Sequence, residues 1–230
     1  MLTKRLIACF DVVNGRVTKA QQFQDNIDVA PAADLAATVF VPFTVGGGIR
    51  TLDDMYEVLK AGAEKISIDS MAVRDPDIIR QGAEAFGRQC IVLSTQVKHV
   101  GVSREFPSGY EVFIDGARLA TGLDAIEWVT RGAELGAGEI VVNSIDRDGT
   151  ASGYDLDVTR AVADAVNVPV IASGGAGTVE HIADGLTAGG AQAAIISSIL
   201  YSPRLERNLG VRELKDSLIA RGVPMRPYVV

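Results

Sequence analysis

Val41-Pro42-Phe43-Thr44-Val45-Gly46-Gly47-Gly48-Ile49 and Val168-Pro169-Val170-Ile171-Ala172-Ser173-Gly174-Gly175-Ala176 are two copies of one segment, 127 residues apart (168 − 41). The match continues through Thr51/Thr178, Leu59/Leu186, Ala61/Ala188 and Gly62/Gly189. After one inserted residue it resumes at Ala63/Ala191 and ends at Ser70/Ser198. Each copy reads as an apolar strand, a glycine-rich turn, a helix, a glycine turn and a second strand, which marks an internally repeated fold. The turns carry chemistry as well as shape. Glycine adopts positive φ and lets backbone N–H groups approach an anion. A helix starting just beyond adds unpaired N–H groups and its positive dipole end. Strand, glycines and helix form a phosphate cradle, and this chain has two. Tight turns alone would account for one such segment, but two related ones with matched flanks favour a ligand.

The same alternation extends outward from the repeat. Short runs rich in Val and Ile at 6–12, 41–45, 65–68, 90–96, 139–144, 168–172 and 193–197 read as strands buried on both faces. Helical patterns occupy 52–61, 75–86, 125–135, 155–165, 179–188 and 211–221. Thr51 with Asp54, and Thr178 with Glu180, supply N-terminal caps and early negative charge. Gly62, Gly87, Gly136 and Gly189 stand where helices stop. Strict β-α alternation predicts a parallel sheet, and a half-to-half repeat predicts its closure into a (β/α)8 TIM barrel spanning 1–230 as one domain.

The count falls one strand short. Aligning the first strand with the fifth sets Asp11 opposite Gln96, an offset of 85 (96 − 11) against 127 for the other pair. The deficit of 42 (127 − 85) is about one βα unit and falls between Asp11 and Val41. A helical start at 32–39 runs without a turn into the strand at 40–42, so the second strand and its helix are absent near Val39. Two unpaired inner edges are costly, so either Val39 and Phe40 are joined across a segment that the sequence does not record, or a rearranged strand fills the gap.

Composition narrows the class. The chain has 230 residues, 47% hydrophobic and 22% charged, enough for one buried domain of barrel size. A net charge of −7 argues against a nucleic-acid surface. A small phosphorylated ligand remains open, since it needs only local N–H groups. Cys9 and Cys90 read as reduced core residues, which suits the cytoplasm. His99 and His181 alone make a His-rich metal site improbable, and neither a membrane span nor a signal segment is expected.

Several segments closely resemble the HisF-type cyclase subunit of imidazole glycerol phosphate synthase, from histidine biosynthesis. They are Lys4-Arg5-Leu6-Ile7-Ala8-Cys9-Phe10-Asp11-Val12, Phe43-Thr44-Val45-Gly46-Gly47-Gly48-Ile49, Gly138-Glu139-Ile140, Ser144-Ile145-Asp146-Arg147-Asp148-Gly149-Thr150, Ser152-Gly153-Tyr154-Asp155 and Ile171-Ala172-Ser173-Gly174-Gly175-Ala176-Gly177. Val211-Arg212-Glu213-Leu214-Lys215 is similar to that family's last helix. The resemblance implies a lyase that takes ammonia from a glutaminase (HisH-type) subunit docked at the N-terminal face of the barrel. Its substrate, a phosphoribulosyl formimino carboxamide ribotide with a phosphate at each end, is converted to imidazole glycerol phosphate and aminoimidazole carboxamide ribotide. No cofactor or metal is implied.

By the same resemblance, Asp11 is the catalytic base and Lys19 contacts substrate. One phosphate meets Gly48, Asp69 and Ser70. The other meets Gly149, Gly175 and Ser198; Asp148 contacts substrate near a phosphate, and Ser144 and Ser173 are further substrate- or phosphate-binding positions. Arg5, Lys65 and Glu139 match three members of a charged ring gating ammonia entry, and a structural salt-bridge network predicts the same contacts. The fourth member, a glutamate, would lie on the missing second strand.

The departures are as informative. Gln96 stands where the family places a second catalytic aspartate, and an amide has no proton to titrate near neutrality. Asp69 replaces a phosphate-binding asparagine, and Ala20 replaces a loop glycine. Three readings follow: an ammonia-dependent cyclase, a divergent barrel acting on another phosphorylated metabolite, or a non-catalytic ammonia-conducting partner of a glutaminase.

Overall fold

A computed structural model describes residues 3–9, 11–13, 16–21, 24–31, 42–201 and 208–225, with the stretch 11–31 described by its backbone course alone. The helical start expected at 32–39 and the gap expected near Val39 lie outside the described residues. The chain clusters into two compact units. One comprises Met1–Phe40, Ser144–Arg160 and Ile171–Val230, the other Val41–Asn143 and Ala161–Val170.

The second of these holds β5 (Thr44–Gly46), α1 (Leu52–Lys60), β6 (Lys65–Ile68), α2 (Ser70–Arg74), α3 (Asp77–Phe86) and β7 (Ile91–His99). It continues with β8 (Tyr110–Ile114), β9 (Leu119–Asp124), α4 (Ala125–Leu135) and β10 (Glu139–Ser144), whose last residue belongs to the first unit. Strands run in the order β10-β7-β6-β5, and the β5–β6 and β6–β7 pairs are parallel. Ile91, Leu93 and Ile140 are fully buried because both sheet faces are covered. Helix α4 lies close enough that a Cβ on Gly132 would fall 2.2 Å from Leu93 Cδ2. β7 runs past the expected end at Gln96 to His99, and its tail pairs antiparallel with β8, which pairs in turn with β9.

The first unit pairs β1 (Arg5–Ala8) with β12 (Ala193–Ile196), and β12 with β11 (Val170–Ser173), all parallel. Its helices include α6 (Val179–Leu186), α7 (Ser198–Tyr201) and α8 (Val211–Ala220), while α5 (Leu156–Ala165) begins in it. Ile182, Leu186, Ile196, Ile199, Leu214 and Leu218 close its core. A separate antiparallel sheet joins β2 (Asp11–Val13), β3 (Arg16–Gln21) and β4 (Gln24–Pro31). The first strand expected at 6–12 therefore stops at Ala8. Asp11 belongs to a different sheet, opposite Thr18.

The sequence repeat is a geometric repeat. Gly47 and Gly174 have φ of +88° and +87°, and Gly48 and Gly175 have +77° and +105°. Thr51 caps α1 at φ −135°, ψ 165°, and Thr178 caps α6 at φ −138°, ψ 168°. Each threonine accepts from the N–H three residues on, Asp54 and His181. Arg50 N–H donates to Asp54 Oδ2 at 2.8 Å, and its counterpart Gly177 N–H donates to His181 Nδ1 at 3.2 Å. Chemically different caps, a carboxylate and an imidazole, thus serve the same backbone need.

Two strands depart from the buried pattern. In β1, Arg5 and Ala8 are exposed, and in β5, Thr44 and Gly46 are exposed. Among the described residues each has one strand neighbour, β12 and β6. No helix among the described residues is long and apolar enough to cross a membrane.

Candidate active site

The first cradle lies where β5 and β6 end side by side, with Gly46 paired to Ser67. Gly48 and Asp69 each stand two residues beyond that pair. A Cβ on Gly47 or Gly48 would meet nothing within 4 Å. Positive φ, not crowding, demands glycine there. Ser70 begins α2, and its Oγ accepts from Asp115 N–H at 3.0 Å, leaving its own hydrogen to donate.

Asp69 lies beside Gln96. Gln96 is 4% exposed, and its Nε2 donates to Asp69 Oδ2. Burial is the main cause that pushes the Asp69 carboxyl up to about 6; the Gln96 hydrogen bond opposes this and the Asp115 charge adds to it. Asp115 is itself held by Arg74 at 2.5 Å. Gln96 Oε1 is buried with no hydrogen-bond partner. Sequence reading missed Asp115. Its signal was Asp115-Gly116 between two apolar runs, a hairpin turn, and Asp115, Gly116 and Ala117 all take positive φ.

The second cradle belongs to the first unit. Gly153 N–H donates to Gly175 O at 2.8 Å, and a Cβ on Gly175 would lie 2.2 Å from Gly153 O. The loop after β10 and the turn after β11 therefore interlock. Asp148 N–H closes a turn onto Ser144 O at 3.0 Å, and Gly149 takes φ +70°. Ser144 is buried, and its Oγ donates to Asp155 Oδ2 at 3.3 Å. Ser173 ends β11 half-buried, and Ser198 begins α7. Ser197 Oγ and Tyr201 OH lie 2.7 Å apart, and Tyr201 OH donates to Cys9 O at 2.9 Å, tying α7 to the end of β1.

Lys65 and Glu139, two of the gate candidates, meet. Lys65 Nζ lies 3.4 Å from Glu139 Oε1, at the N-terminal ends of β6 and β10, and donates to Gln89 O at 2.7 Å. Arg5 opens β1 in the other unit. Lys19 lies on β3 opposite Ile27, in an antiparallel sheet rather than a loop. The side chains of Asp11 and Lys19 lie outside the described residues.

Parallel strands alternating with helices, with charged and glycine-rich groups gathered at strand ends, define an α/β chain of the (β/α)8-barrel enzyme class. Residues 22–206 match the model of a family described as histidine biosynthesis protein. The chain is also similar to three proteins named imidazole glycerol phosphate synthase subunit HisF. Those from Solidesulfovibrio magneticus, Syntrophobacter fumaroxidans and Nitratidesulfovibrio vulgaris are each 46% identical over 260 residues, covering 98% of this chain and 99% of the relative. The chain belongs to the histidine biosynthesis protein family and, within it, to the HisF cyclase subunits, which are lyases. An alignment of 260 positions against a chain of 230 residues leaves at least 30 (260 − 230) without a counterpart here.

Proposed function

We propose that the protein is the ammonia-using cyclase of imidazole glycerol phosphate synthase, a single (β/α)8 domain working in the cytoplasm with a HisH-type glutaminase. The duplicated cradle carries this reading. Two turns with matching φ, caps and flanking strands suit a substrate with a phosphate at each end. One phosphate takes the N–H groups around Gly48 with the Ser70 hydroxyl. The other takes those of Gly149 and Gly175 with Ser173 and Ser198.

Asp69 beside a dianion is repulsive as a carboxylate, and its raised proton affinity relieves that conflict. Asp11 is the general base, and Lys19 supplies a cation to substrate. Ser144 shapes its loop through Asp155 rather than by donating to the ligand. The glutaminase docks at the N-terminal face, where the Lys65–Glu139 pair sets the passage of neutral ammonia.

The test is turnover of the ribulosyl substrate with ammonium salt, for the native chain and for Gln96→Asp. Product from the native chain supports the cyclase. No product from either protein overturns the reading. Product from Gln96→Asp alone assigns the native chain to a different phosphorylated substrate, the reading that Gln96 and Asp69 taken by themselves favour.

A further inference from the structure

Positions 69 and 96 exchange the chemical types that the family resemblance leads one to expect, and in the fold the two side chains touch. The amide is where the carboxyl was expected, the carboxyl is where the amide was expected, and a hydrogen bond joins them. Resting on the cyclase reading, we propose that Asp69 is the proton-transferring carboxyl of this site and Gln96 its positioning residue, the acid function having moved from the fifth barrel strand to the end of β6.

Three elements face Asp69. From β7 comes Gln96, buried and uncharged. From the β8–β9 turn comes Asp115, a like charge that disfavours a second carboxylate. From α2 come Ser70 and Arg74, and Arg74 is engaged by Asp115 rather than by Asp69. An uncompensated carboxyl in this setting holds a proton well above the ordinary range, so part of it is protonated close to neutrality.

Gln96 suits a partner that cycles between two protonation states. Its N–H donates to the carboxylate, and after rotation of the amide its oxygen accepts from the carboxylic acid. A carboxylate at 96 offers no donor to ionised Asp69. The buried Oε1 with no partner is the acceptor held in reserve, for the protonated acid or for a substrate N–H.

The proton balance closes on the residues present. When ammonia condenses with a carbonyl, a C–N bond forms, the C–O bond breaks and water leaves. The departing oxygen needs a proton, which Asp69 gives. The nitrogen sheds protons as it becomes part of the ring, and the Asp69 carboxylate takes one back. Nothing is oxidised or reduced.

Asp69→Asn separates this role from phosphate binding, because asparagine keeps the shape, still accepts from Gln96 and removes the charge beside phosphate. With ammonium salt and the ribulosyl substrate, Asp69→Asn should lower kcat roughly 10²–10⁴-fold with KM unchanged or lower. In the native protein, kcat/KM should fall as pH rises through the Asp69 titration, and Asp69→Asn should lack that limb. Gln96→Leu removes a hydrogen bond that favours the carboxylate, so the limb should move to higher pH. The double variant Asp69→Asn/Gln96→Asp, with an acid at 96 again, should recover at least tenfold over Asp69→Asn.

A kcat for Asp69→Asn within about threefold of native, or a limb unmoved in both variants, overturns the proposal and leaves the cyclase reading standing. Failure of the native protein to turn over overturns both.

Discussion

Replacing Asp69 by asparagine should stabilise the folded protein, and the gain should depend on pH. The carboxyl titrates at about 6 in the fold against an ordinary 3.8. At 1.36 kcal/mol for each tenfold change in proton affinity, that difference is about 3 kcal/mol. The sign follows from where the proton sits. Below pH 3.8 the group is protonated in both states, and the full stabilising contribution is present. As pH rises toward 6 the unfolded chain releases its proton while the fold keeps it, so native stability declines. Above that value the whole contribution is gone. Asparagine has no proton to lose. Asp69→Asn should therefore gain about 3 kcal/mol over native at pH 8 and roughly half of that at pH 5. For a chain of this length that is a Tm increase of roughly 6–12 °C at the higher pH. Calorimetry or urea denaturation of both proteins across that range measures it. Equal stabilities at pH 8, or parallel pH slopes, would refute the claim that a buried, poorly compensated carboxyl sits beside Gln96. A variant more stable but slower is also what an active-site group held under electrostatic strain should give.

Other consequences can be measured directly. Gly175→Ala sets a Cβ against Gly153 O at φ +105°, so it should cost about 2–5 kcal/mol and raise KM. Gly48→Ala meets only open space and should cost about 1–2 kcal/mol; similar losses in urea melts would show that the two cradles do not differ in packing. Thr51→Ala and Thr178→Ala should each lose about 1 kcal/mol in thermal melts, with Thr51 the larger because its cap is reciprocated by Asp54; a loss at one site alone would contradict the geometric repeat. Lys65→Met removes both the Glu139 contact and the bond to Gln89 O. It should alter glutamine-driven turnover with the glutaminase several-fold while turnover with ammonium salt stays within twofold, and equal effects on both would count against a gate.

Strands buried on both faces were legible because burial leaves few residue choices. The run 139–144 matches β10 residue for residue; 65–68 matches β6, whose Ile66 and Ile68 are buried while Lys65 and Ser67 are half-buried; and the helix read at 125–135 matches α4. The glycine turns were legible because positive φ selects glycine. The β8–β9 hairpin was harder to read, since Asp115-Gly116 signals a turn without saying what the hairpin packs on. Extension of the first strand to Asp11 failed for a related reason. The apolar run from Leu6 continues past Ala8, and only pairing shows that Val12 joins Val17 in another sheet.

The repeat, the shortfall in the strand count and the family were legible in the sequence alone, and the phosphate reading was drawn from the same glycine turns. Each depends on residue type at a spacing, and backbone conformation and burial impose residue type locally. Tertiary structure decided which side chains meet. Positions 69 and 96 are 27 residues apart, and in the sequence they read as two unrelated losses, one of an acid and one of a phosphate ligand. Parallel pairing of β6 with β7 brings Asp69, just past the end of β6, beside Gln96 on β7. There a carboxyl buried against an amide and beside Asp115 has a raised proton affinity, which is why the two losses can be read together as the one relocated acid proposed above.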